Sequence, residues 1–459
     1  MDVQPLEFDL SPSQTDPPLP RMPWVWFVFA IFFVAFIGSS LTFFDSKNPV
    51  ADADKIKETS IELKLCMKSV NPDTKADRTL HIFDDQIDKL LVPSKHSVQA
   101  QKLRVVLRLE DNETPFQDDL KKLAKSSDPK NQAFAKLFLE PKPKKAEALA
   151  LVEQIGKKDL SDRIAAVQIK EQFGDKSIRS TTFPPDKALW PSLVGVAGVI
   201  GLGIGMVLWY IYFFQRQAGR LLPKGIPFVA TDWGKIDRLM FIGLIIFMSY
   251  FIAGTGEALI AKKNGSGVEL LAYLPFFGVI ALCFTFPVFG WRITAKDVGL
   301  SFDKFGEKLG WTFATFFANL PILLGMVMIS GLLTKILPGG GHPAAEELLN
   351  HPKTMEIVKI LIGACVIAPI WEEIFFRGIL FPSFIKAFGR PLQAALLSSF
   401  IFASIHPQGM AGIPVLMGIG LMLCAVSYQT KSLVSNIMLH SLHNGATLMI
   451  ALVLGPLIG

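Results

Sequence analysis

The sequence predicts an all-α membrane protein, a multi-pass helix bundle that carries one soluble, mainly helical domain. Three observations predict it. Half of the 459 residues are hydrophobic and the mean hydropathy is +0.39, more apolar than ordinary soluble globules. Several runs reach the 18 or so apolar residues that a bilayer-spanning helix needs. The charge is also segregated: 27 of the 46 Lys and Arg, and 24 of the 40 Asp and Glu, lie between Asp45 and Ala188. A net charge of +6 on such a chain bears on orientation in a membrane and points to no nucleic acid partner. Cys66, Cys283, Cys365 and Cys424 show no CxxC spacing, which argues against a disulfide framework and a cysteine-rich zinc site.

Residues 1–21 are acidic and proline-rich and lack the basic start of a signal peptide, so they read as a disordered tail. Residues 22–44 form the first transmembrane candidate, aromatic at its start like an interfacial belt. Residues 45–189 read as the soluble helical domain. Apolar residues recur there at helical spacing as Phe134, Leu137 and Phe138, then Leu151, Val152 and Ile155, then Leu160, Ile164 and Val167. Pro141-Lys142-Pro143 separates two of these helices. Residues 190–459 return to the membrane, with spans expected at 190–214, 239–261, 270–291, 309–336, 357–386, 391–407, 411–428 and 433–456.

Three connections concentrate positive charge: Arg216, Arg220 and Lys224; Arg292, Lys296, Lys304 and Lys308; Lys386 and Arg390. The positive-inside rule places them in the cytoplasm. By counting back, the N-terminus is also cytoplasmic and the soluble domain 45–189 is non-cytoplasmic; in a bacterium the chain would sit in the plasma or inner membrane.

Glu372, Glu373 and Arg377 stand in the middle of the 357–386 span. Each charge at bilayer centre costs roughly 2.5–3.5 kcal/mol on insertion scales, so such residues face the protein interior and serve a purpose. Glu373 and Arg377 are four apart and share a helix face, which suits an ion pair. Such a pair alone would be a packing device, but it leaves Glu372 unexplained. His406 ends one apolar run, and His440, His443 and Asn444 lie in the last span. Measured from the basic residues Lys386, Arg390 and Lys431, helix rise puts Glu372 roughly 21 Å up, His406 roughly 24 Å, and His440 and Asn444 roughly 14 and 20 Å. Similar depth on three helices predicts one shared interior site.

A carboxylate beside an imidazole can activate water as a general base. An imidazole and a carboxamide one turn apart, His440 and Asn444, can stabilise an oxyanion. The same groups also suit a divalent metal such as zinc, with Glu372, His406 and His440 as ligands. HExxH, a transmembrane GxSG and paired membrane aspartates are absent from the sequence. A proton-coupled transporter is the competing reading, since Glu and His also build proton relays.

Glu372-Glu373-x-x-x-Arg377, then Phe402-x-x-x-His406, then His440-x-x-x-Asn444, with Phe376-Arg377-Gly378-x-Leu380 after the double glutamate, resembles the CPBP family. These are the CAAX-protease and bacteriocin-processing intramembrane proteases, also called the Abi family. The resemblance covers roughly 190–459 and implies an eight-helix membrane core. It implies that Glu372 is the water-activating base with His406 as its partner. His440 and Asn444 would stabilise the oxyanion, and Glu373 and Arg377 would form the supporting pair. Members have been described as metalloproteases and as metal-free glutamate proteases, and some serve as scaffolds or immunity factors without proteolysis. The implied partner is a membrane-associated protein or peptide substrate within the lipid bilayer. The first helix and the soluble domain lie outside the resemblance; the domain reads either as a capture site for a protein partner or as a structural appendage. His443 receives no role.

Overall fold

Where the sequence alternates apolar runs with basic connections, the computed structural model forms helices, and it has no strand among the described residues. Those residues are 19–43, 61–62, 65–66, 98–110, 114–115, 117–157, 159–219, 232–264, 274–285, 294–334, 336–337, 343–349, 354–406 and 408–458. The expectations for the tail before residue 19, for Arg220, Lys224 and Arg292, and for both ends of the 270–291 span lie outside them.

The helices of eight residues or more run in the order α1 (Trp24–Phe43), α2 (Val98–Glu110), α3 (Gln117–Ala124), α4 (Pro129–Phe138), α5 (Lys145–Ile155), α6 (Leu160–Gln172), α7 (Asp186–Gln217), α8 (Trp233–Asn264), α9 (Leu274–Thr285), α10 (Phe305–Leu333), α11 (Thr354–Phe388), α12 (Pro391–Ser404), α13 (Gly409–Thr430) and α14 (Leu433–Ile458). The chain divides into two units, one of residues 1–49 and 197–452, the other of residues 50–196 and 453–459.

In the second unit the helical spacing sets the core. Phe134, Leu137, Val152, Ile155, Leu160, Ile164 and Val167 are all buried together with Val105, Val106 and Leu120. Pro129 sits at the start of α4, where its missing N–H costs nothing, and Asp128 caps that end. Buried ion pairs cross this core: Lys102 to Asp162 at 3.1 Å and Arg163 to Glu62 at 2.7 Å. Burial pushes the Asp162 carboxyl up, against the pull of Lys102. Burial also pushes the Cys66 thiol up to about 11, which marks it as a packing cysteine with little thiolate character.

Four helices are long and apolar enough to cross a membrane among the described residues: Leu189–Gln217, Phe305–Leu333, Thr354–Phe388 and Gly409–Thr430. Trp24–Val34 and Pro391–Ser404 are shorter apolar helices. At 14 residues α12 rises roughly 21 Å, short of a layer about 30 Å thick. The last helix, α14, has the length at 26 residues but carries Asn436, His440, His443 and Asn444 in its first half.

Leu19 to Met22, expected at the end of the tail and the start of the first span, are tied to α8. Asp237 accepts from Arg21 Nε at 2.8 Å, from the Met22 N–H at 2.6 Å and from Trp26 Nε1 at 2.9 Å. Burial works against this carboxylate, but the three donors hold its pKa below the ordinary 3.8. Downstream, α1 packs Phe33 on Phe375 of α11, with ring centroids 5.7 Å apart. Small residues permit close helix approaches elsewhere. A side chain at Gly205 of α7 would strike the Phe317 carbonyl of α10, and one at Gly420 of α13 would meet Ser399 of α12.

Candidate active site

The site is built on α11, which is not a uniform α-helix. Two wide π-turns, Gly363–Ile367 and Ile374–Leu380, flank a six-residue α stretch, Ala368–Glu373. Each wide turn is closed by an i−5 bond, Ala368 N–H to Gly363 O and Phe381 N–H to Phe376 O. The residue after each closing donor is a proline, Pro369 or Pro382, which has no N–H to offer. The prolines therefore break the regular ladder at these two places, and the carboxylates project from the short stretch between them. Such π-turns are frequent at functional sites.

Glu373 is fully buried and pairs with Arg377 at 3.0 Å, as the spacing predicts. Arg377 NH2 also donates to the Gly420 carbonyl at 3.3 Å, and its guanidinium lies 4.5 Å from the Phe402 ring centre. Two more donors reach Glu373: His440 Nδ1 at 2.8 Å and Asn436 Nδ2 at 3.3 Å. Three groups from two helices thus form a desolvated network around one carboxylate, the setting a buried charge requires. Asn436 had no sequence signal of its own. It lies one turn before His440 on the same helix face, and that spacing was the cue available.

Glu372 faces the other way. Its Oε2 is buried, lacks a hydrogen-bond partner, and lies 3.7 Å from His406 Nε2 and 3.8 Å from His440 Nε2. The imidazole tautomers follow from their other nitrogens. His406 Nδ1 is 2.6 Å from the Phe402 carbonyl, which can only accept, so the Nδ1 hydrogen is spent there. His440 Nδ1 donates to Glu373. In their neutral forms both rings therefore present an Nε2 that carries no hydrogen on the side of a carboxylate oxygen. Next to the site, Trp371 stacks on Tyr250 with centroids 4.1 Å apart, and its Nε1 is buried with no hydrogen-bond partner.

Two placements add to the sequence reading. His440 and Asn444 were expected to donate together to one oxyanion. In the structure His440 Nδ1 donates to Glu373, and Asn444 Nδ2 donates to the Ala364 carbonyl at 2.7 Å. His443, which had no role, is buried and lies 3.2 Å from Asn319 Nδ2 of α10. The structure thus gathers Glu372, Glu373, Arg377, His406 and His440, and it places Asn444 against the helix that carries the carboxylates.

The donors fit a divalent metal in type and orientation, because each imidazole is fixed through Nδ1 and presents Nε2. Among the described residues, however, no group of three or more His, Cys, Asp or Glu is assembled in metal-holding geometry.

Fold and site together define a class: an all-α membrane protein with a carboxylate and two imidazoles converging in its interior. Residues 354–446 match a protein-family model described as "Type II CAAX prenyl endopeptidase Rce1-like". The chain is also 28% identical over 244 residues to the membrane-embedded CAAX protease MroQ of Staphylococcus aureus (strain USA300), a match covering 51% of this chain and 83% of that protein. No solved structure matches. Both matches liken the motif-bearing segment of this chain to CAAX proteases.

Proposed function

We propose that the chain is an intramembrane endopeptidase of the CAAX-protease type, hydrolysing a peptide bond of a membrane-associated protein or peptide with Glu372 as the base. One observation carries this reading. A buried carboxylate oxygen without a hydrogen-bond partner is faced by two imidazole nitrogens whose hydrogens are spent elsewhere. Three acceptors that converge in this way call for a donor between them, and a water molecule is the donor that hydrolysis consumes.

Such a water gives one hydrogen to Glu372 and the other to an imidazole Nε2. As its oxygen attacks the scissile carbonyl carbon, the O–H bond breaks toward Glu372 and the new C–O bond forms. The proton then moves to the amide nitrogen as the C–N bond breaks, so that amide and water become acid and amine. His406, whose side chain is 19% exposed against 4% for His440, is the better placed of the two rings to hand that proton on. His440 donates to an oxyanion only when its Nε2 is protonated, and Glu373 on the far side of the ring stabilises that imidazolium.

A second reading rests on the same tautomers. Glu372, His406 and His440 would hold a divalent ion such as zinc, which supplies Lewis-acid activation when bound. The test is the purified protein in detergent with a panel of membrane-tethered peptides, run with and without chelator. The expected result is cleavage by the wild type and none by Glu372→Ala or His406→Ala. Equal cleavage by all three removes the protease reading and leaves a scaffold or a proton-coupled transporter. Loss of cleavage on chelation, reversed by zinc, selects the metal-assisted form.

A further inference from the structure

Asn444 is the residue whose place in the structure departs furthest from the role its motif implies. Its side-chain amide donates to the Ala364 carbonyl at 2.7 Å. Its own helix offers that carbonyl no i+5 donor. In the wide turn Gly363–Ile367 the Ala368 N–H goes back to Gly363. The next bond of that register would run from residue 369 to Ala364, and residue 369 is a proline. An extra residue in the turn and a missing N–H together orphan one carbonyl, and α14 fills the gap with Asn444. A buried backbone carbonyl must find a partner somewhere, and an amide from a neighbouring helix is a recognised way to satisfy a proline-broken ladder in a membrane.

Glu372 stands three residues after Pro369. The pitch of the wide turn sets the direction in which it leaves the helix, and thus its approach to the His406 and His440 nitrogens. One residue of register corresponds to roughly 100° of rotation.

We propose that Asn444 is a positioning residue: it supplies to the Ala364 carbonyl the hydrogen bond that Pro369 cannot, and so holds the turn from which Glu372 reaches its two histidines. The effect on catalysis rests on the proposed protease function; the bond and its coupling to Pro369 do not.

The experiment is a double-mutant cycle on the full chain in detergent, with Asn444→Ala, Pro369→Ala and the two combined. Pro369→Ala restores an N–H at the break, and Pro369→Gly is the second donor-restoring variant if the first misfolds. The expected kcat of Asn444→Ala is about 10²-fold down with KM little changed, and its Tm falls. Pro369→Ala alone keeps most of the activity, because Asn444 still holds the carbonyl. In the combined variant the loss in kcat shrinks by tenfold or more, and removing Asn444 no longer lowers Tm. The proposal is overturned if Asn444→Ala costs as much kcat with Pro369 replaced as with it present, the signature of a group acting on the substrate itself. Were no peptide cleaved by the wild type, the Tm cycle would still decide: additive shifts would overturn the clamp, and coupled shifts would support it while the protease reading falls.

Discussion

Glu372 and Glu373 are adjacent in sequence and opposite in circumstance. Glu373 is enclosed by Arg377, His440 and Asn436, and Glu372 has one oxygen left over. Part of this was legible. The spacing of four between Glu373 and Arg377 predicts their pair, and the shared depth of Glu372, His406 and His440 predicts their convergence. The Glu373 bond to His440 was not legible, because depth arguments fix height in the membrane and not rotation about a helix axis. His443 was hidden for the same reason; its partner Asn319 lies on α10, a helix otherwise read only as an apolar span. A prediction belongs at this scale. Arg377→Met leaves Glu373 charged in a buried site with one donor fewer, a loss of about 3–5 kcal/mol. Thermal unfolding in detergent should show a large fall in Tm, and an unchanged Tm would remove the supporting role of the pair.

At the scale of elements, the helix boundaries follow the apolar runs within a few residues, while the interior of α11 does not follow from them. Pro369 and Pro382 were visible, but a proline can kink, end or widen a helix. Which of these occurs depends on whether neighbours satisfy the freed carbonyls, and that is a tertiary fact. The α7–α10 contact has a similar origin. Pro321 removes the i+4 donor of the Phe317 carbonyl, and Gly205 lies against that carbonyl while Trp209 Nε1 donates to Ala318 O at 2.7 Å. Gly205→Leu should separate the two helices and cost about 1–3 kcal/mol; cross-linking between cysteines placed on α7 and α10 should fall, and undiminished cross-linking would deny the contact. The Asp237 clamp on α1 makes a pH prediction. Its lowered pKa means that the folded chain binds fewer protons there than the unfolded chain. The stability it adds is therefore present above the ordinary 3.8 and lost as pH falls through the depressed value. Asp237→Asn should release Leu19–Trp26 to protease at neutral pH, as acid does in the wild type; equal resistance of variant and wild type would count against the clamp.

For the whole molecule, composition and charge segregation predict a helical membrane part and a charged helical domain. They could not order the helices around the site, because packing partners are chosen by shape and by single polar contacts. Sidedness is a proposal that rests on the basic connections. A reporter inserted within residues 121–130 should register as non-cytoplasmic, and a cytoplasmic signal would invert the topology. On that proposal residues 45–189 would be non-cytoplasmic, and capture of a protein substrate or partner there is the reading to test next.

The division of labour between the two adjacent carboxylates is measured most directly by Glu372→Gln and Glu373→Gln, each assayed for peptide cleavage and for Tm in detergent. Glu372→Gln should abolish cleavage and leave Tm equal to the wild type or higher, since it removes a buried charge whose Oε2 has no hydrogen-bond partner. Glu373→Gln should lower Tm markedly, because Arg377 is then buried without its counter-ion, and cleavage should fall with it. Cleavage retained by Glu372→Gln, or the same losses of activity and stability in both variants, would contradict the assignment.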